Sequence, residues 1–268
     1  MMRLDKYLAE RLGVTRSESR KLITKGLVCL AGTACRKADT QLDENNADVT
    51  VEGEALGGVY KKNVYLMLNK PEGVVSASKD KKDMTVTDLV SAAWPRRPLF
   101  PAGRLDKTST GFVLLTDDGV FAHDILAPGR HVSKRYLVTL DTPLTDAMRA
   151  GFAAGVTLAD GTVMAPAEVS PADDDDPCVV RVVLHQGVYH QIKRMFGVYD
   201  AGVNALHREA IGPVALDDAL APGQWRELTA EELAALRAAC GAGKKERRAS
   251  ADERMEESAD EDTEDGNA

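Results

Sequence analysis

The stretch Gly103-Arg104-Leu105-Asp106-Lys107-Thr108-Ser109-Thr110-Gly111-Phe112-Val113-Leu114-Leu115-Thr116-Asp117-Asp118-Gly119 sets one carboxylate in a loop and follows it at once with an apolar run. Residues 111–116 read as a buried strand, and Asp117-Asp118-Gly119 is the turn signal that ends it. The loop ahead of the strand surrounds Asp106 with Arg104 and with small or hydroxylated residues. A lone aspartate on a loop, anchored by a strand and next to a guanidinium, is built to stay ionised. That suits a nucleophile better than a general acid.

Outward from this strand the pattern is short and mixed. Apolar runs predict strands over 65–68, 136–140, 163–169 and 179–184, and 3.6-residue periodicity predicts helices over 120–126, 145–154 and 190–198. A further helix over 231–239 opens on a capping signature, Thr229-Ala230-Glu231-Glu232. Strands outnumber helices and the connections are short, which predicts an α+β domain with a largely antiparallel sheet. The 44% apolar content of the 268 residues supports a sizeable core. The first residues lack the apolar run of a signal peptide, and no later run approaches membrane-spanning length. A soluble, cytoplasmic protein with no membrane partner is expected. Cys29, Cys35, Cys178 and Cys240 form no C-x-x-C pair, so reduced thiols are expected rather than disulfides, and no metal site.

The net charge of −8 is unevenly spread. From Gly241 on there are five basic and ten acidic residues, a composition that cannot offset its ordering entropy and predicts a disordered tail over 241–268. Residues 3–37 hold nine basic residues against three acidic ones, a local +6. That local charge, not the total, bears on the partner. In the same segment Leu4, Leu8 and Leu12 mark one helix ended by Gly13, and Thr15-Arg16-Ser17-Glu18 caps a second. Short strands follow around residues 27–30 and 49–51, and residues 54–63 read as a linker.

The order Arg3-Leu4-Asp5-x-x-Leu8, Thr15-Arg16, Ser19-Arg20, Ile23-x-x-Gly26-x-Val28 resembles the S4 domain, a small α/β RNA-binding module. The rest of the chain resembles the pseudouridine synthases, most closely the single-uridine, RsuA-type branch. The resemblance runs from about residue 2 to 235. It is carried by Asn69-Lys70-Pro71-x-Gly73, Gly103-Arg104-Leu105-Asp106, Leu115-Thr116-x-Asp118-Gly119, Lys134-x-Tyr136, Tyr189-His190-Gln191-x-Lys193-Arg194-Met195-Phe196 and Leu206-His207-Arg208-Glu209. One departure stands out. The family's Glu-Gly-Lys/Arg before Tyr-His-Gln is here Gln186-Gly187-Val188, losing a carboxylate and a cation together.

The resemblance implies an S4 domain over 1–57 and a catalytic domain over 60–240 with a largely antiparallel sheet flanked by helices. It implies a monomer that isomerises one uridine of small-subunit ribosomal RNA, or of a ribosomal assembly intermediate, without cofactor or metal. Asp106 is then the catalytic aspartate, attacking the flipped-out uridine at C1′ of the sugar or C6 of the base. Tyr136 packs on the base, and Lys193 pairs with Asp106, with Arg194 as the alternative. Arg104 fills the vacated stacking position or meets a phosphate. Arg194 and, in the S4 unit, Arg3, Arg16, Arg20, Lys21 and Lys25 are the further RNA contacts. A large-subunit ribosomal RNA synthase shares these motifs. A non-catalytic RNA-binding or ribosome-assembly protein would need only the S4 unit and leaves Asp106, Tyr136 and Lys193 unexplained. A glycosidase-like pair of acids fails because Asp117 and Asp118 lie a strand's length from Asp106.

Overall fold

The computed structural model describes residues 1–56, 62–94, 97–127 and 132–241. The expected disordered tail, from residue 242 on, and the middle of the expected linker lie outside the described residues. The chain divides into two compact units, Met1–Val64 with Val90–Pro98, and Tyr65–Leu89 with the chain from Leu99 on. The segment Val90–Pro98 therefore groups with the first unit. Within that unit the Arg97 guanidinium donates to the Lys62 carbonyl at 3.2 Å.

The first unit runs β1 (Met2–Arg3), α1 (Leu4–Leu12), α2 (Arg16–Thr24), β2 (Val28–Leu30), β3 (Thr33–Ala34), β4 (Gln41–Leu42), β5 (Val49–Val51) and β6 (Glu54–Ala55). Gly13 closes α1 in the left-handed region, and Thr15 and Glu18 form the reciprocal capping box of α2. Leu4, Tyr7 and Leu8 of α1 meet Ile23 of α2 and Val28 and Val49 of an antiparallel sheet ordered β3-β2-β5-β6. Asp5, on the same helix as those leucines, is fully buried.

In the second unit β7 (Tyr65–Lys70), β8 (Phe100–Pro101), β9 (Thr110–Thr116), α3 (Gly119–Leu126) and β10 (Lys134–Leu140) come first. They are followed by α4 (Asp146–Ala154), β11 (Glu168–Pro171), β12 (Val179–Leu184), α5 (Gln191–Gly197), β13 (Val203–Ile211), β14 (Val214–Ala215) and β15 (Trp225–Glu227). A last helix, α6, covers 230–241 and opens on the Thr229–Glu232 capping box. The strands form one nine-stranded sheet ordered β11-β12-β10-β13-β9-β7-β15, with β14 beside β13 and β8 beside β9. All its pairings are antiparallel except β13 with β9. The fold class is α+β. Phe121, Ala122 and Ile125 of α3 and Leu236 of α6 pack on Met67, Phe112 and Leu114 and so cover one face of β9, which is buried along its length.

Two expected elements are displaced. The strand expected over 163–169 is reduced to an isolated bridge, Thr157 with Val163, and regular pairing starts only at Glu168. Pro166 lies between them, and a residue without an N–H interrupts a ladder. The helix expected from residue 190 begins at Gln191, and His190 precedes it in the left-handed conformation with φ 50° and ψ 32°.

Candidate active site

Asp106 lies between the paired strands β8 and β9, on a loop that the rest of the unit fastens down. Ser109 N donates to the Asp106 carbonyl at 3.0 Å, closing a turn around it. Ser76 bonds both polar groups of Leu105, accepting from its N–H at 3.0 Å and donating to its carbonyl at 2.9 Å. Beneath the loop, the fully buried Lys70 at the end of β7 donates to the carbonyls of Ser109 at 2.6 Å, Pro71 at 3.0 Å and Lys107 at 3.4 Å. Burial pushes the Lys70 ammonium down to about 8, against the pull of Asp106 and Glu72. A charge this deep is tolerable because three carbonyl dipoles replace its water.

The Asp106 carboxylate is partly exposed and opens onto a cavity of about 410 Å³. One oxygen, Oδ1, lies 3.3 Å from His190 Nε2, and the other, Oδ2, lies 3.7 Å from Lys193 Nζ. Lys193 Nζ also donates to Thr108 Oγ1 at 3.3 Å. Arg194, one residue on, turns a different way and pairs with Asp160 at 2.6 Å. The reason is α5 itself. Ile192, Met195 and Phe196 are buried on one face, so successive residues 193 and 194 leave the helix in different directions. Tyr136 is buried on β10 and forms part of the cavity wall.

Arg104 does not serve Asp106 as the sequence suggested. Leu105 takes the buried position, and Arg104 is exposed at the cavity lining with no hydrogen bond or ion pair among the described residues. The groups that face the carboxylate are Lys193 of α5 and the His190 imidazole just before it. At the Gln186-Gly187-Val188 departure, Gln186 Oε1 accepts from Ala165 N at 3.1 Å and from Gln191 Nε2 at 3.4 Å, so a neutral side chain ties the loop to the start of α5.

Two buried cations in the cavity lining, Lys134 and Arg208, had no structural role assigned from sequence. The Arg208 guanidinium donates through Nε to the Phe112 carbonyl at 2.6 Å, while its Nη2 is buried without a partner. Lys134 was legible in principle, because it lies two residues before Tyr136 on a strand and so shares its face. Arg208 was not. A bulge between Arg135 and Tyr136 pairs Arg135 with Ala210 but Tyr136 with Arg208, leaving Glu209 without an opposite residue. That extra residue lets Arg208 and Ile211, three apart, line the same cavity. Glu209 leaves on the other side and accepts from Arg181 at 2.9 Å and Arg135 at 3.2 Å.

Burial, reinforced by the Arg208 charge, pushes Lys134 down to about 8, with Cys240 opposing. Lys134→Met is therefore expected to raise the melting temperature at pH 7 by about 2–6 °C, since it removes a desolvation penalty on the order of 1–2 kcal/mol. Below pH 8 the folded lysine is charged and the penalty is full. Between pH 8 and its ordinary 10.5 the unfolded chain binds more protons than the folded one, so the unaltered protein gains stability with pH. The advantage of the variant should shrink across that window. A variant that melts lower at pH 7 contradicts this reading.

In the first unit, three of the five expected RNA contacts converge on one carboxylate. Asp5, with no exposed side-chain area, accepts from Arg3 Nε at 3.1 Å, Arg16 Nη2 at 2.9 Å and Arg20 Nε at 3.0 Å. Burial alone would raise the Asp5 carboxyl, but the three guanidinium groups hold it well below the usual range. Lys21 and Lys25 are exposed on or next to the same helix.

An aspartate beside a lysine, with an aromatic side chain in the wall of the same cavity, can hold a substrate against a carboxylate, and comparison with known proteins gives the class. The RNA pseudouridylate synthase family model matches residues 64–197, and the S4 domain model matches residues 2–47. The chain belongs to the RNA pseudouridylate synthase family and carries an S4 domain. It is similar to the ribosomal small subunit pseudouridine synthase A of Escherichia coli (strain K12), 41% identical over 240 residues that cover 88% of this chain and 100% of the relative. It is likewise similar to the uncharacterized RNA pseudouridine synthase YtzG of Bacillus subtilis (strain 168), 40% identical over 233 residues, 87% of this chain and 97% of that one. Among solved structures, a crystal structure of pseudouridylate synthase matches with a TM-score of 0.61 and 36% identity, covering 88% of this chain and 100% of that one. The protein is a pseudouridine synthase. Among the described residues no helix is long and apolar enough to cross a membrane.

Proposed function

We propose that the protein converts one uridine of small-subunit ribosomal RNA, free or in an assembly intermediate, to pseudouridine, with Asp106 as nucleophile. The observation that carries the site assignment is the placing of the Asp106 carboxylate at a cavity of about 410 Å³, walled by Tyr136 and faced by Lys193. That volume suits one nucleotide, and a base entering such a cavity must first be flipped out of its helix. The choice of small-subunit RNA rests on the 41% identity to relatives bearing that name, across their whole length.

Asp106 attacks the uridine at C1′ or at C6 of the base. The N1–C1′ bond breaks, the uracil turns within the cavity, a C5–C1′ bond forms, the bond to Asp106 breaks to free the carboxylate, and the C5 proton leaves while N1 takes one up. The product is an isomer of the substrate, so the balance calls for no co-substrate. Tyr136 packs on the base and stands ready to assist removal of the C5 proton. Lys193 keeps charge complementary to the carboxylate. Arg104, exposed and unpaired, meets a phosphate or fills the gap left in the helix. The first unit docks on folded RNA with Lys21 and Lys25 and with the outer edges of Arg3, Arg16 and Arg20. The domains are taken as 1–57 and 60–240, and the protein acts as a monomer.

The test is tritium release from transcripts labelled at uridine C5, with small-subunit and large-subunit ribosomal RNA compared. Release of about one equivalent from small-subunit RNA alone is expected. Release from large-subunit RNA instead would move the substrate to the other subunit. In the same assay Lys193→Met should lower turnover at saturating RNA by about 10²-fold or more, and Lys193→Arg should restore part of it. Arg194→Met should chiefly weaken RNA affinity, since Arg194 faces Asp160 and not Asp106. If Arg194→Met abolishes turnover and Lys193→Met does not, the two roles are exchanged.

A further inference from the structure

His190 is held in a way that neither the helix it precedes nor the core explains. It is one of four non-glycine residues with positive φ among the described residues, at φ 50°. As the N-cap of α5 its side chain makes no capping hydrogen bond. Its imidazole is instead held at the cavity. Tyr189 stacks on one face with ring centroids 3.8 Å apart and planes 17° from parallel, and Nε2 lies 3.3 Å from Asp106 Oδ1. Tyr189 itself is 72% exposed, so the stack is not a by-product of packing in the core. A left-handed residue is a local cost that persists where the surroundings fix a side chain's aim.

We propose that His190 is a positioning residue for Asp106, holding Oδ1 so that Oδ2 is the oxygen that attacks. The inference rests on the reading of Asp106 as nucleophile given above. A carboxylate on a single-bonded side chain can swing about χ1 and χ2, and only an anchored one keeps the attacking lone pair on line with its carbon. Lys193 does not supply that anchor. Its Nζ is 3.7 Å away and shared with Thr108, so it gives charge without direction. The imidazole is rigid and stacked, and its Nε2 stands 3.3 Å from the nearer oxygen, within reach to donate to it whenever that nitrogen carries a proton. The 3.3 Å approach is not yet a formed hydrogen bond, and contacts of this kind in a site without substrate commonly tighten in the substrate complex.

The rival explanation is that the position needs only a residue tolerant of positive φ, which histidine and asparagine both are. Two substitutions separate these. His190→Gln places an amide N–H where Nε2 stands but loses the tolerance for positive φ. His190→Asn keeps the tolerance and is too short to reach Asp106. Single-turnover rates at saturating ribosomal RNA are measured with RNA dissociation constants, each rate divided by the folded fraction from circular dichroism. The expected result is that His190→Asn slows turnover by about 100-fold while binding changes little, and that His190→Gln stays at least about tenfold faster than His190→Asn. Any other order, including equal rates at whatever level, overturns the positioning role. Asp106→Asn run alongside keeps the two readings apart. Turnover by that variant overturns the nucleophile reading and this one with it, whereas an inactive Asp106→Asn with His190→Asn equal to or faster than His190→Gln overturns the role of His190 alone.

Discussion

Asp106→Asn is expected to abolish pseudouridine formation, by about 10⁴-fold or more, while RNA affinity and melting temperature stay close to those of the unaltered protein. The amide keeps the shape of the side chain and can still accept from His190 through its oxygen, but it has no charge to offer a carbon centre. The loop does not depend on the carboxylate. It is fastened through backbone groups, by Lys70 to the carbonyls of Ser109, Pro71 and Lys107 and by Ser76 to Leu105. The measurements are tritium release at saturating RNA, filter binding and a thermal melt. Activity within tenfold of the unaltered enzyme removes Asp106 from its role, and a large fall in melting temperature means that the carboxylate is structural.

The second large effect is expected from backbone sterics alone, at Gly111. Here β9 runs parallel to β13 with Gly111 opposite Arg208, the only parallel contact in the sheet among the described residues. Gly111 has φ 100°, and a Cβ added to it would meet the Arg208 backbone, with N at 2.7 Å and C at 3.0 Å and the carbonyl oxygen closer still. Backbone cannot step aside as a side chain can. Gly111→Ala must therefore part the strands on which both the Asp106 loop and Arg208 depend, at a cost on the order of 4 kcal/mol or more. That corresponds to a loss of about 10 °C in melting temperature, with activity falling in parallel. Gly119→Ala is the control, since the start of α3 has open space around it and no positive φ. A Gly111→Ala protein that melts within about 2 °C of the original contradicts the close approach of the two strands.

Much of this was legible in the sequence where local chemistry decides. The run from Phe112 to Leu115 had to be a buried strand, and it forms the centre of β9. The capping boxes at Thr15 and Thr229 mark helix starts because their hydrogen bonds close within four residues. Asp106 stood out because a loop aspartate between a strand and a cation has few plain uses, and Lys193 and Tyr136 followed from resemblance. What stayed hidden depends on register and on pairing across the chain. No local signal told that the Glu209 bulge turns Arg208 into the cavity, or that Lys70, at the end of an apolar run, supports a loop more than thirty residues on. The basic face of the first helices read as phosphate ligands. Asp5 shows three of its arginines already sharing a buried partner, because α1 and α2 bring residues eleven and fifteen apart into contact.

The most direct test of the central claim is pseudouridine mapping of small-subunit ribosomal RNA from cells lacking the gene, complemented by the unaltered chain or by Asp106→Asn. The expected result is one modified position that disappears on deletion, returns with the unaltered chain and stays absent with Asp106→Asn. A small-subunit map unchanged by deletion, or a position restored by Asp106→Asn, contradicts it.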